Sequence, residues 1–95
     1  VTEVIKKGKK KEAFDADKLR KSIEAAARES EISEEKAKEV TENVAKTVIE
    51  MAEKEKEIET HVIRERILKE LDSAEPAVSE AWRNYDKNKR KLENN

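Results

Sequence analysis

Residues 4–19 read VIKKGKKKEAFDADKL, and the arrangement of the whole chain hangs on this stretch. Two apolar residues, Val4 and Ile5, precede a run in which Lys6, Lys7, Lys9, Lys10 and Lys11 surround the chain's only glycine, Gly8. A short segment leads to Phe14, and Asp15 then opens a helix. The order is that of a small β-hairpin feeding a helix, with glycine as the turn residue. With Asp15 as N-cap, its carboxylate is placed to accept an otherwise unpaired backbone N–H. Phe14 at N′ and Leu19 at N4 then have the spacing of a hydrophobic staple.

Outward from this stretch the chain reads as amphipathic helix. A helix over 16–28 turns Leu19, Ile23, Ala26 and Ala27 inward, with Glu24 and Arg28 paired outside at i,i+4. Residues 29–33 form a turn with Ile32 pointing in, and Ser33 caps a helix over 34–53 whose first carboxylates, Glu34 and Glu35, suit the macrodipole. Ala37, Val40, Val44, Val48 and Met51 make its apolar face, and Glu–Lys pairs such as 34–38, 42–46 and 50–54 decorate the other. Residues 54–59 are strongly charged and read as a turn anchored by Ile58. Thr60 reads as the N-cap of a helix over 61–71, with Val62, Ile63, Ile67, Leu68 and Leu71 facing in and Glu65–Lys69 paired outside. Pro76 suits the first position of a helix over 76–92, where its missing N–H costs nothing. Val78, Ala81, Trp82, Tyr85 and Leu92 form its inner stripe, and the polar stretch 86–95 is expected to fray. The expected class is mostly α with a small N-terminal β-hairpin (α+β): a four-helix bundle capped by a hairpin lid over 3–14, in one domain of 95 residues.

Composition bounds what such a chain can do. Leu, Ile, Val and Phe supply about one residue in five, near the level of disordered chains. Disorder by composition also needs high net charge, whereas 22 basic residues here nearly cancel 23 acidic ones, and the apolar residues are periodic. A folded domain with a thin core follows. No cysteine is present, which excludes disulfides and thiolate metal sites. No apolar run approaches the roughly 20 residues of a membrane span, and no signal-peptide core opens the chain, so a cytoplasmic address is expected. Nucleophile–base pair, P-loop and glycine-rich loop are all missing, so no catalytic residue is assigned. His61, with no second histidine, reads as an ordinary exposed side chain. Trp82 and Tyr85 read as core rather than as a base-stacking platform.

Several motifs in order resemble the ATP-cone family, small nucleotide-sensing modules at the head of ribonucleotide reductases and in the repressor of their genes. Val4-Ile5-Lys6-Lys7 is similar to the family's Val-x-Lys-Arg opening, and Phe14-Asp15-Ala16-Asp17-Lys18-Leu19 to its Phe-Asp-x-x-Lys-Ile/Leu box. Ile58-Glu59-Thr60 matches an Ile-x-Thr helix opening, and the stretch from Pro76 to Asp86 follows the outline of the last helix. The family fold, a β-hairpin over four helices, agrees with the periodicity. Two departures stand out. Gly8 lies six residues before Phe14 rather than five, with Lys9 where glycine is expected, so the turn must differ. Asp86 stands where the last helix usually offers arginine, which makes a basic position acidic.

The resemblance implies a regulatory, non-hydrolytic domain that binds ATP or dATP with Mg2+ and acts through a conformational or association change. It assigns the phosphates to Lys6, Lys7 and Lys18, with Arg64 and Lys87 (and Lys89 beside it) as further cations. It implies a nucleoside pocket of Val4, Phe14, Leu19 and Ile63, with Glu12 and Thr60 beside it. Without the resemblance, the lysines read as a charged edge that discourages strand pairing, and the apolar four as lid packing. The expected partners are an adenine nucleotide and either self-association or a larger parent enzyme or repressor. No membrane is expected, and the net charge of −1 argues against nucleic acid. The alternative function is a degenerate cone kept as a helical protein-interaction module.

Overall fold

The computed structural model describes residues 1–93. In chain order they form β1 (Glu3–Ile5), a 3-10 turn (Lys7–Lys9), β2 (Lys11–Ala13), α1 (Ala16–Glu29), α2 (Glu34–Glu53), β3 (Glu57–Glu59), α3 (Thr60–Ala74) and α4 (Pro76–Glu93). Each helix packs on the next in sequence, and α4 closes back on α1. The sheet covers one end of this ring, with Val4 and Ile58 as its buried residues. A helical bundle under a small N-terminal sheet is therefore the fold class.

The caps form as their sequence suggests. Asp15 accepts from the Lys18 backbone N–H at 3.0 Å, and the Ser33 hydroxyl accepts from that of Lys36 at 3.1 Å. Pro76 is the first residue of α4. The core runs through Leu19, Ile23, Ala26 and Ala27 of α1, Val40, Val44, Ala45, Val48 and Ala52 of α2, Ile63, Ile67 and Leu71 of α3, and Val78 and Trp82 of α4. Alanines at the contact faces let helices approach closely, which suits a chain with few large apolar side chains.

The lid differs from a simple hairpin. β1 pairs antiparallel with β2, Val4 opposite Glu12, and parallel with β3, Val4 opposite Ile58. Residues 57–59, expected as part of a turn, are thus a third strand. Parallel pairing needs a long crossover, supplied here by β2, α1 and α2. Thr2 fixes the start of the lid: its buried hydroxyl donates to the carbonyls of Ala52 and Glu55 at the end of α2, at 3.3 and 2.7 Å. The turn is unusual at two positions. Gly8 has φ 83° and Lys9 has φ 65°, so a lysine occupies the left-handed region where glycine is the easier residue.

Other expectations are corrected. Thr60 is the first residue of α3 rather than its cap; Glu59 holds the cap position and makes no side-chain cap hydrogen bond. Val62, Tyr85 and Leu92, expected to face in, are 39%, 36% and 78% exposed. Val62 lies one position off the Ile63–Ile67–Leu71 stripe. The stretch expected to fray continues as helix to Glu93; residues 94–95 lie outside the described part. Glu42 reaches across to Arg20 of α1 at 3.9 Å rather than along its own helix to Lys46.

Candidate functional site

Three helices each turn one stripe of spacing i, i+3, i+4, i+7 toward the space under the lid. On α1 and its cap the stripe is Asp15, Lys18, Leu19 and Ser22; on α3 it is Thr60, Ile63, Arg64 and Ile67. On α4 it is Trp82, Tyr85, Asp86 and Lys89. Residues so spaced lie on one face of a helix. Together with Val4, Lys6, Glu12 and Phe14 from the lid they enclose a cavity of about 220 Å³.

A larger cavity, about 780 Å³, lies between the lid turn from Lys6 to Lys10, the N-terminus of α3 and the Asp86–Arg90 part of α4. The two share Lys6, Glu12, Thr60, Arg64, Asp86 and Lys89, so they adjoin as two parts of one cleft region. The two parts differ in chemistry. The smaller is lined by Val4, Phe14, Leu19, Ile63, Ile67, Trp82 and Tyr85, and also by the charged Lys6, Glu12, Asp15, Lys18, Arg64, Asp86 and Lys89. Around the larger stand Lys6, Lys7, Lys9, Lys10, Arg64, Lys89 and Arg90, while Glu12, Glu59 and Asp86 supply the opposing charge. The first turn of α3 also faces it, its N–H groups without a side-chain cap, and such a terminus favours anions.

Ion pairs hold the charged groups in place. Lys6 Nζ lies 3.1 Å from Glu12 Oε2 across the hairpin, and this hydrogen bond, then the charge behind it, holds the Glu12 carboxyl below the ordinary range. On the lid's outer part Lys11 meets Glu57 at 2.8 Å, joining β2 to β3 over β1; that contact pushes the Lys11 ammonium up. Deeper in the cleft, Asp86 Oδ2 lies 3.0 Å from Nε of both Arg64 and Arg90. The Arg64 approach falls outside hydrogen-bond geometry, so this buried Nε has no hydrogen-bond acceptor among the described residues. His61 is exposed at the cleft edge with Nδ1 3.2 Å from Glu59.

All the residues named from sequence for the nucleoside end, Val4, Glu12, Phe14, Leu19, Thr60 and Ile63, come together around the smaller cavity. Of the cations, Lys6, Lys18 and Arg64 line that cavity and Lys7 the larger one. Lys87 is exposed and borders neither; on α4 its place is taken by Lys89, on the same stripe as Trp82 and Asp86. Sequence reading passed over Arg90, Ile67 and Ser22 as cleft residues. Helical spacing from Trp82 and Ile63 picks out Lys89 and Ile67 and rejects Lys87. Among the described residues no three His, Cys, Asp or Glu side chains gather into a metal site, and no helix is long and apolar enough to cross a membrane.

A family model, the ATP cone domain, matches residues 2–91 of the 95. The chain belongs to the ATP-cone family. An ATP-cone is a nucleotide-sensing regulatory module without catalytic function of its own. The match spans both the lid and all four helices, and hence every wall of the cleft. No curated protein matches this ATP-cone chain.

Proposed function

We propose that the cleft binds ATP or dATP, with the nucleoside in the smaller cavity and the phosphates under the lysine turn. The observation that carries this reading is an asymmetry between two adjoining cavities. The smaller brings aromatic and aliphatic side chains together to meet a base, alongside Lys18 and other charged groups, and the larger, rich in cations and facing a helix N-terminus, suits a phosphate chain. Lys6, Lys7 and Arg64 would hold the phosphates, with Lys89 taking the part first given to Lys87, and Lys18, which lines the smaller cavity alone, would meet the phosphate nearest the nucleoside. Mg2+ would arrive with the nucleotide, coordinated by its phosphate oxygens. Glu12 and Thr60 border both ends and would meet the sugar.

The domain would act as one unit by binding without hydrolysis. α1, α3, α4 and the lid all contribute walls, so a ligand that favours one spacing of these elements shifts their packing. That shift would be read by self-association or by a larger enzyme or repressor carrying the domain, in a cytoplasmic setting. Replacing Lys6 and Lys18 together by alanine tests the site. ATP affinity should fall by tenfold or more, and an unchanged affinity sinks the assignment.

The Asp86 contacts with Arg64 and Arg90 favour a second reading, a cone kept as a helical protein-interaction module with its arginines already neutralised. Concentration-dependent association indifferent to nucleotide would support it, and a chain monomeric at every concentration would count against it.

A further inference from the structure

Asp86 occupies a place that the nucleotide reading leaves unexplained. Its side chain is only 14% exposed and borders both cavities, among the lysines and arginines that line them. One oxygen, Oδ2, lies 3.0 Å from two arginine nitrogens, one on its own helix and one on α3. Arg64 is itself largely buried, its side chain 23% exposed, and its Nε finds no acceptor in hydrogen-bond geometry. A buried guanidinium needs an anion and good hydrogen bonds to offset its desolvation, and the carboxylate supplies the first without the second. The arrangement is therefore a counter-ion in charge but an imperfect partner in geometry. A tetrahedral phosphate presents oxygens in several directions and matches the guanidinium fork better than a carboxylate fixed at one position.

We propose that Asp86 is a built-in competitor for the anionic ligand and holds down the affinity of the cleft for phosphate groups. This rests on the anion-binding reading of the larger cavity given above. A ligand that takes Arg64 and Arg90 must release the Asp86 carboxylate or approach alongside it, and a like charge so near opposes it. A phosphate chain that also reaches Lys6, Lys7 and Lys89 offsets that opposition over several contacts. A single phosphate reaches fewer of them and does not. The opposition grows with the charge that a ligand brings beside Asp86, so the residue weakens polyphosphates more than monophosphates and leaves the lysines to favour the longer chain.

Titrating the wild-type chain and two variants, Asp86→Asn and Asp86→Glu, with ATP, AMP and inorganic tripolyphosphate tests the proposal, with circular dichroism confirming that each variant is folded. Asp86→Asn should bind tripolyphosphate at least tenfold more tightly and should widen the preference for ATP over AMP. Asp86→Glu keeps the charge and should show neither change. The proposal is overturned if Asp86→Asn binds tripolyphosphate no better or more weakly, which would make Asp86 a residue that merely orients the arginines. It is equally overturned if Asp86→Glu shows the same gain, or if tripolyphosphate binds none of the three chains. Failure of the nucleotide reading looks different: ATP would then bind no more tightly than tripolyphosphate, whatever the residue at position 86.

Discussion

The Trp82 indole donates its Nε1–H to Ser22 Oγ at 3.1 Å, joining α4 to α1 across 60 positions of sequence, and the Ser22 hydroxyl donates in turn to the Leu19 carbonyl at 2.7 Å. Both side chains are buried, and both border the smaller cavity. The indole thus fills the core with its rings while its one polar atom is satisfied at the floor of the cleft. Ser22→Ala removes the acceptor and strands a buried donor, so it should cost about 1–3 kcal/mol. Thermal unfolding checks this, since about 1 kcal/mol lowers the Tm of a chain this size by roughly 4–8 °C. An unchanged Tm would mean that the indole finds another acceptor.

Thr41 offers the opposite change. It is 3% exposed on α2, and its hydroxyl has no partner among the described residues. Thr47 on the same helix shows the usual remedy, donating to the Asn43 carbonyl at 3.1 Å. Thr41→Val exchanges an unsatisfied hydroxyl for a methyl group of similar shape and should stabilise the chain by about 1 kcal/mol. The urea midpoint should rise with the slope m unchanged.

At the lid turn, Gly8 and Lys9 are consecutive left-handed residues, with φ 83° and 65°. A β-carbon added at Gly8 meets nothing within 4 Å, so Gly8→Ala carries only the backbone penalty of about 1–2 kcal/mol. Lys9→Gly releases the same penalty and should stabilise the folded chain by up to about 1 kcal/mol, part of the gain being offset by the freer unfolded chain. Paired unfolding curves should show the two variants moving in opposite directions from wild type.

Acid should loosen the lid and the α3–α4 elbow. Glu12 is held below the ordinary carboxylate range by Lys6, and Asp72 by the Ser79 hydroxyl, then by the Arg83 charge and hydrogen bond. The Asp72 contacts tie the end of α3 to α4. A carboxyl depressed in the folded state stabilises it above the unfolded value, about 4, and that contribution is lost as the pH falls through the depressed folded value. Stability should therefore be level from about pH 6 to pH 5 and decline below about pH 4. Asp72→Asn should lower the plateau and flatten the acid limb. A limb as steep as in wild type would show that Asp72 contributes little to it.

The bundle was legible in the sequence because its signals are local. Asp15 and Ser33 cap the helices they precede, Pro76 opens α4, and 3–4 spacing marks most of the core. Two misses were local, the cap of α3 and the side of Val62, and the others depended on contacts remote in sequence. Glu57-Ile58-Glu59 has no strand character of its own and becomes β3 only because β1 arrives beside it after a long crossover. Thr2 looks like any N-terminal threonine until the end of α2 places two carbonyls at its hydroxyl. Tyr85 and Leu92 fit the α4 stripe by spacing, yet the surfaces they would meet are a cleft and open solvent. At the candidate site the same division holds. The lid and α1 residues follow from one short motif, and helical spacing from Trp82 separates Lys89 from Lys87, whereas Arg90 and Ser22 enter the cleft through contacts that no local pattern marks.

Calorimetric titration with ATP and dATP, each with Mg2+ and with GTP as control, decides whether the cleft is a nucleotide site. Trp82, the only tryptophan and a wall of the smaller cavity, provides a parallel optical reading in the same samples. The account predicts saturable binding in the micromolar range, or about 8 kcal/mol, selective for adenine and accompanied by a change in Trp82 emission. Absence of heat and of thermal stabilisation at millimolar ATP would contradict it and would leave a helical scaffold whose cleft serves another partner.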